Sequence, residues 1–202
     1  IRLINDNPGE LTIIAQAPLT NLACAVAADR SIAGKVKHLY VMGGTNNALG
    51  NITAAAEANF WHDPEAAKIV LAAGFPTTIV PWDLVMSHGR FSPDQLRIIE
   101  ELDTPQSRFF TRANRASVEY VEKTHGVPGS THPDSIAAAI AVEPSIITKA
   151  SDYFVDVETN PGLTQGYMLV DAVRRSGREP NARVIEAIDQ DLFFQTMVNA
   201  LS

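Results

Sequence analysis

The chain has 202 residues, enough for one sizeable core or for a large part of a bigger domain. A formal charge of −7 argues against nucleic acid and anionic membrane as partners, and no apolar run approaches the roughly 18 residues of a membrane span. The single cysteine, Cys24, excludes an internal disulfide and fits a reducing compartment, so a cytoplasmic location is expected. It sits in the apolar run LACAVAA, where buried packing is expected rather than catalysis.

The N-terminal stretch IRLINDNPGE has no signal-peptide layout, lacks an initiator Met and begins close to a strand, so continuation upstream is expected. ELTIIA, Glu10 to Ala15, reads as a buried strand entered from a Pro8-Gly9 turn. PLTNLACAVAADR reads as a helix with Leu19, Leu22, Ala23 and Val26 on one face. His38 to Met42 is a short strand stopped by Gly43 and Gly44. A polar loop then carries Asn51, Glu57 and Asn59. Asp63 is a good N-cap and Pro64 a good first helical residue, which predicts a helix ending at Gly74. Phe75 to Val80 is a further buried strand, ended by Pro81. The alternation of strand and helix implies a mostly parallel central sheet with helices on both faces, an α/β fold.

From Ser92 the texture becomes helical: SPDQLRIIEEL, a long amphipathic helix from Pro105 to about His125, then THPDSIAAAIAVEPS. Ala150 to Glu158 alternates as a strand, and a turn at Asn160-Pro161-Gly162 leads to Gln165–Val170, predicting a small C-terminal hairpin. Arg183 to Ala187 is a last strand and DLFFQTMVNAL a final helix. No linker or repeat interrupts the chain, so residues 1–202 are expected to form a single domain.

Four places carry chemistry. Asn51, Glu57 and Asn59 supply donors and acceptors suited to a hydroxylated ligand, or are simply a solvated loop. Asp134, at the start of a helix, is either an N-cap or a carboxylate able to hold a hard cation. In AQAPLTN, backbone carbonyls are candidate metal ligands. In PWDLVMSHG, residues Trp82, Asp83 and His88 follow a strand; His88 is a surface histidine or an acid–base group, and Asp83 with His88 is a candidate working pair for another hydrolase on a doubly wound sheet. The histidines at 38, 62, 125 and 132 show no zinc spacing.

Taken in order, these segments resemble the inosine–uridine preferring nucleoside hydrolases. APLTNLA looks like that family's strand-to-helix turn; VMGG, GN, AEAN and DPEAA follow in its order and spacing. THPDSIAAAIAVEP is similar to its later metal-binding segment, and YFVDVETNPGLTQGYMLVD to its C-terminal hairpin. The resemblance implies a Rossmann-like nucleoside hydrolase fold and calcium-dependent hydrolysis of ribonucleosides to base and ribose by a homodimer or homotetramer. It implies that Met42, Asn51, Glu57 and Asn59 contact ribose, that Asp134 binds calcium and a ribose hydroxyl, and that the backbone carbonyl of Gln16 is a further ligand. Gln16 stands where Thr is common, an exchange that a carbonyl ligand tolerates. Ala58 stands where an aromatic is common, and Pro133 where one subgroup has a His, with His132 one position back; both changes lie on the base-recognition side. The family's N-terminal aspartate motif, which holds the general base, is not in this sequence. The chain is therefore expected to be the C-terminal portion of the enzyme, or alternatively a ribose-binding relative without turnover.

Overall fold

The computed structural model describes residues 1–126 and 128–202; the side chains of 120–122, 124 and 125, His125 among them, lie outside that description. In chain order the elements are α1 (Arg2–Asp6), β1 (Thr12–Ala15), α2 (Thr20–Ala28), a 3₁₀ turn (Arg30–Lys35), β2 (His38–Met42), α3 (Ala58–His62), α4 (Pro64–Leu71), β3 (Thr77–Val80) and α5 (Trp82–His88). Then come β4 (Arg90–Phe91), α6 (Pro93–Glu101), α7 (Pro105–His125), β5 (Ser130–Thr131) and α8 (Pro133–Val142). The chain closes with β6 (Ile147–Tyr153), β7 (Val155–Val157), β8 (Met168–Val170), β9 (Ala182–Ile188) and α9 (Gln190–Leu201). Two compact units result: residues 1–83 with 149–186, and 84–148 with 187–202.

The first unit is an α/β structure. Its sheet runs β1-β2-β3-β9-β6, and β1/β2, β2/β3 and β3/β9 are all parallel. Leu39, Val41, Ile79 and Val184 face a core closed by Ala23 and Val26 of α2 and by Ala66, Val70 and Leu71 of α4. β2 and β3 are buried nearly throughout, β2 along its apolar run and β3 with Thr77 and Thr78 buried beside Ile79 and Val80. Asp63 caps α4 by accepting from Ala66 N, and it also accepts from the Thr20 hydroxyl, tying α2 to α4. The expected hairpin is present: β7 and β8 pair antiparallel, with Val155 opposite Val170.

Three expectations are corrected. β1 is the edge of the sheet, so Thr12 and Ile14 are exposed rather than buried. The N-terminal residues form a helix with Ile4 buried, which leads into β1 at Thr12. Cys24 is exposed, because the inward stripe of α2 runs through Ala23 and Val26. The strand expected from Ala150 to Glu158 divides at Phe154 into β6 and β7, which belong to different sheets. Asn181 causes the division: its Oδ1 accepts from Val155 N at 2.8 Å and its Nδ2 donates to Val155 O at 3.0 Å, so a side chain takes both of the main-chain groups a ladder partner would use.

Across β6 and β9, Glu186 accepts from Lys149 Nζ at 2.6 Å and from the Tyr153 hydroxyl at 2.7 Å. These donors hold its carboxyl at about 2, down from 4.5. A depressed carboxyl binds fewer protons folded than unfolded, so its contribution to stability is complete above the unfolded value and disappears as pH falls through the folded one. Denaturant titrations between pH 5 and 2 are expected to show Glu186→Gln losing less stability on acidification than the parent; parallel losses would refute the coupling.

The second unit is mainly helical. α6 carries a capping box in which Ser92 and Gln95 exchange side-chain and backbone bonds. A short antiparallel pair sets Arg90 opposite Thr131, and Phe91 packs 5.2 Å from Phe193. Among the described residues no helix is long and apolar enough to cross a membrane.

Candidate ligand site at the carboxyl ends of the strands

Because β1, β2 and β3 are parallel, Gln16, Gly43 and Pro81 all leave the sheet at one edge, where ligands sit in open α/β sheets. Gly44 turns the chain out of β2 with φ +67, a value that suits glycine, and its carbonyl accepts from Trp82 N at 2.9 Å. The arm that follows folds on itself: Ala56 O accepts from the amides of Asn51, Ile52 and Thr53. Asp83 Oδ1 accepts from Asn46 N at 2.7 Å and pins the arm to the end of β3.

Glu57 is the centre of this arrangement. It is 2% exposed and is the N-cap of α3. Its Oε2 accepts from Gly44 N at 2.9 Å and Phe60 N at 3.3 Å, and its Oε1 from Asn59 N at 2.9 Å. A carboxylate in a buried cradle of amides is held in one orientation. Asn59, expected on a loop, lies in the first turn of α3; its Nδ2 donates to Met42 O at 3.0 Å and approaches Met42 Sδ at 3.4 Å. Asn51 is exposed and accepts from Ala58 N at 2.8 Å. Met42, Asn51, Glu57 and Asn59 are thus brought together within one unit, and Gln16 lies on the same sheet edge.

Asp134 belongs to the second unit. It is the second residue of α8, and the N-cap is His132, whose side chain makes no capping bond; the expected capping role is therefore not what places Asp134 there. Its side chain is open to solvent, yet surrounding protein excludes enough water to raise its carboxyl above the ordinary range. His132 is buried between Phe91 at 4.5 Å and Phe110 at 5.2 Å, with Ser130 Oγ 2.5 Å from its Nε2. Burial pushes it down to about 4, so it is neutral at pH 7 and built as packing. Asp83 and His88 sit five residues apart on α5, about 140° apart around an ideal helix axis. His88 has Ser87 Oγ 2.8 Å from its Nδ1.

The family model described as inosine-uridine preferring nucleoside hydrolase matches residues 1–195. The chain belongs to this family. Uridine nucleosidase 1 of Arabidopsis thaliana is 34% identical over 168 residues, covering 83% of this chain and 49% of that protein. The pyrimidine-specific ribonucleoside hydrolase RihB of Shigella flexneri is 28% identical over 186 residues, covering 92% of this chain and 58% of its own. Among solved structures, the plant nucleoside hydrolase PpNRh1 superposes with a TM-score of 0.92 at 26% identity, over 99% of this chain and 64% of that one. The purine-preferring ribonucleoside hydrolase of Gardnerella vaginalis shares the fold with a TM-score of 0.87 at 24% identity, over 99% of this chain and 64% of its own. The chain therefore spans about half the length of the Arabidopsis relative and under two thirds of these solved nucleoside hydrolases.

Proposed function

We propose that the protein hydrolyses the N-glycosidic bond of ribonucleosides, releasing base and ribose. In this reading residues 1–202 are part of one larger nucleoside hydrolase domain that works in the cytoplasm as a homodimer or homotetramer. Asn51, Glu57 and Asn59 bind ribose hydroxyls, Met42 lies against the sugar, and Asp134 contacts a hydroxyl and an ion. The observation that supports this best is Glu57, a buried carboxylate locked by three backbone amides at the end of β2, inside the AEAN segment. Departure of the base leaves ribose with oxocarbenium character, which a fixed negative charge stabilises without reorganising. Asn59, itself tied to Met42, orients the sugar relative to that charge.

The family resemblance proposes calcium, with the Gln16 carbonyl and Asp134 as ligands. Both are hard oxygen donors of the kind calcium takes, but calcium takes roughly six to eight, and no cluster of three or more His, Cys, Asp or Glu occurs among the described residues. The donors fit in kind and fall short in number, so no catalytic step is assigned to the ion on these residues. Asp134→Ala is expected to weaken calcium binding at least tenfold by calorimetric titration of the intact protein; unchanged affinity would remove Asp134 from the ligand set.

Ribose release from inosine, uridine and other nucleosides, with and without chelator, tests the whole reading. Chelator-sensitive release supports it. Nucleoside binding with no release under any condition would make the protein a ribose-binding relative instead.

A further inference from the structure

We propose that the β7–β8 hairpin braces the ligand arm and that Asn47 is the positioning residue that locks the two together. The inference rests on the ribonucleoside reading above. Asn47 has φ 54, a left-handed conformation that asparagine tolerates better than most residues. Its Nδ2 donates to Val170 O at 2.8 Å, and its Oδ1 accepts from Val170 N at 3.0 Å and from the Tyr167 hydroxyl at 3.0 Å. The side-chain amide thus pairs with Val170 through a donor and an acceptor together, as an opposed residue on a neighbouring antiparallel strand does. It closes a contact between residues 123 apart in sequence.

Two further contacts place the hairpin against the rest of the arm. A side-chain carbon on Gly44 would lie 2.7 Å from Met168 Sδ, and one on Gly166 would lie 2.6 Å from Trp61 Cα. Trp61 is two residues past Asn59 on α3. The hairpin therefore meets the arm at its start, at Asn47 and at the helix that carries Asn59. A polar site binds well only when its groups are held before the ligand arrives, and the arm between Gly44 and Glu57, whose ends are 13 positions apart in sequence, needs outside anchors to be held. The Asn47 amide supplies one with both bonding senses satisfied. Aspartate keeps the acceptor, loses the donor and sets a negative charge against the Val170 carbonyl; alanine loses every bond.

The test uses the intact protein, with Asn47→Ala, Asn47→Asp and Tyr167→Phe. Steady-state kinetics on inosine and uridine are read beside amide hydrogen exchange. Asn47→Ala is expected to lower kcat/KM roughly tenfold or more, with KM raised and kcat reduced. Exchange should speed up in residues 45–56 while β2 and β3 keep parental protection. Tyr167→Phe, which deletes one bond to the same oxygen, should shift both readouts the same way by less. Parental kcat/KM in Asn47→Ala overturns the proposal. So does loss of protection in β2 and β3 equal to that in 45–56, which would mark Asn47 as a general stability residue. A parent protein that neither binds nor cleaves ribonucleosides would fail the functional reading, while the exchange pattern would still decide whether the brace exists.

Discussion

Glu57→Ala is expected to lower kcat/KM on ribonucleosides roughly a hundred- to a thousandfold and to cost about 3 kcal/mol of folding stability. Three amides, on Gly44, Asn59 and Phe60, converge on this one carboxylate, and Phe60 itself is fully buried. Alanine leaves those donors without their acceptor and takes away the cap of α3. Each buried orphan costs about 1–3 kcal/mol, and water entering at the exposed end of the site offsets part of the sum. Under the proposed function the catalytic loss has a separate origin, the missing negative charge beside the sugar. Glu57→Gln separates the two. It keeps one oxygen for the cradle but turns an NH₂ toward donors on the other side, so stability should fall by less while kcat/KM falls almost as far. Urea denaturation and steady-state kinetics on both variants provide the check; parental rates in Glu57→Gln would show that the carboxylate is a cap and nothing more.

Gly50→Ala should be the next most damaging change, lowering kcat/KM about a hundredfold with a stability loss of about 1–3 kcal/mol. A carbon added at Gly50 would sit 2.1 Å from Ala56 O and 2.4 Å from Ala56 C. The obstacle is backbone, so no rotamer change relieves it. Ala56 O is also the acceptor around which the turn of residues 51–53 closes, and Ala56 precedes Glu57. To admit the methyl group the turn must open, moving Asn51 on one side and Glu57 on the other. Gly34→Ala is the control: its added carbon meets nothing within 4 Å, and parental kinetics and stability are expected. If Gly50→Ala behaved like this control, the arm would be too pliant to hold a site.

Much of the architecture was legible because local rules and long-range packing agree. The run His38–Met42 reads as a short strand, and it is one; Asp63-Pro64 and Ser92-Pro93 read as helix starts, and both cap as expected. The candidate site was half legible. Asn51, Glu57 and Asn59 stand out as polar side chains in one segment, but α3 is only five residues long and its cap is a glutamate, so composition showed a loop where the chain makes a turn of helix. The anchoring roles of Asn47 and Asp83 left no local trace, since their partners lie 123 and 37 residues away.

The order of polar and apolar residues was sufficient by itself to determine the parallel α/β core, most helix starts and the polar arm after β2, because periodicity, capping and glycine breaks act over a few residues. Only the tertiary structure decided that β1 lies at an edge, that Asn181 diverts β7 out of the main sheet, that His132 is packing, and that Glu57 is cradled by amides from both sides of the arm. Each of those outcomes depends on which distant backbone group reaches a given side chain first, and that competition is settled only when the chain is closed upon itself.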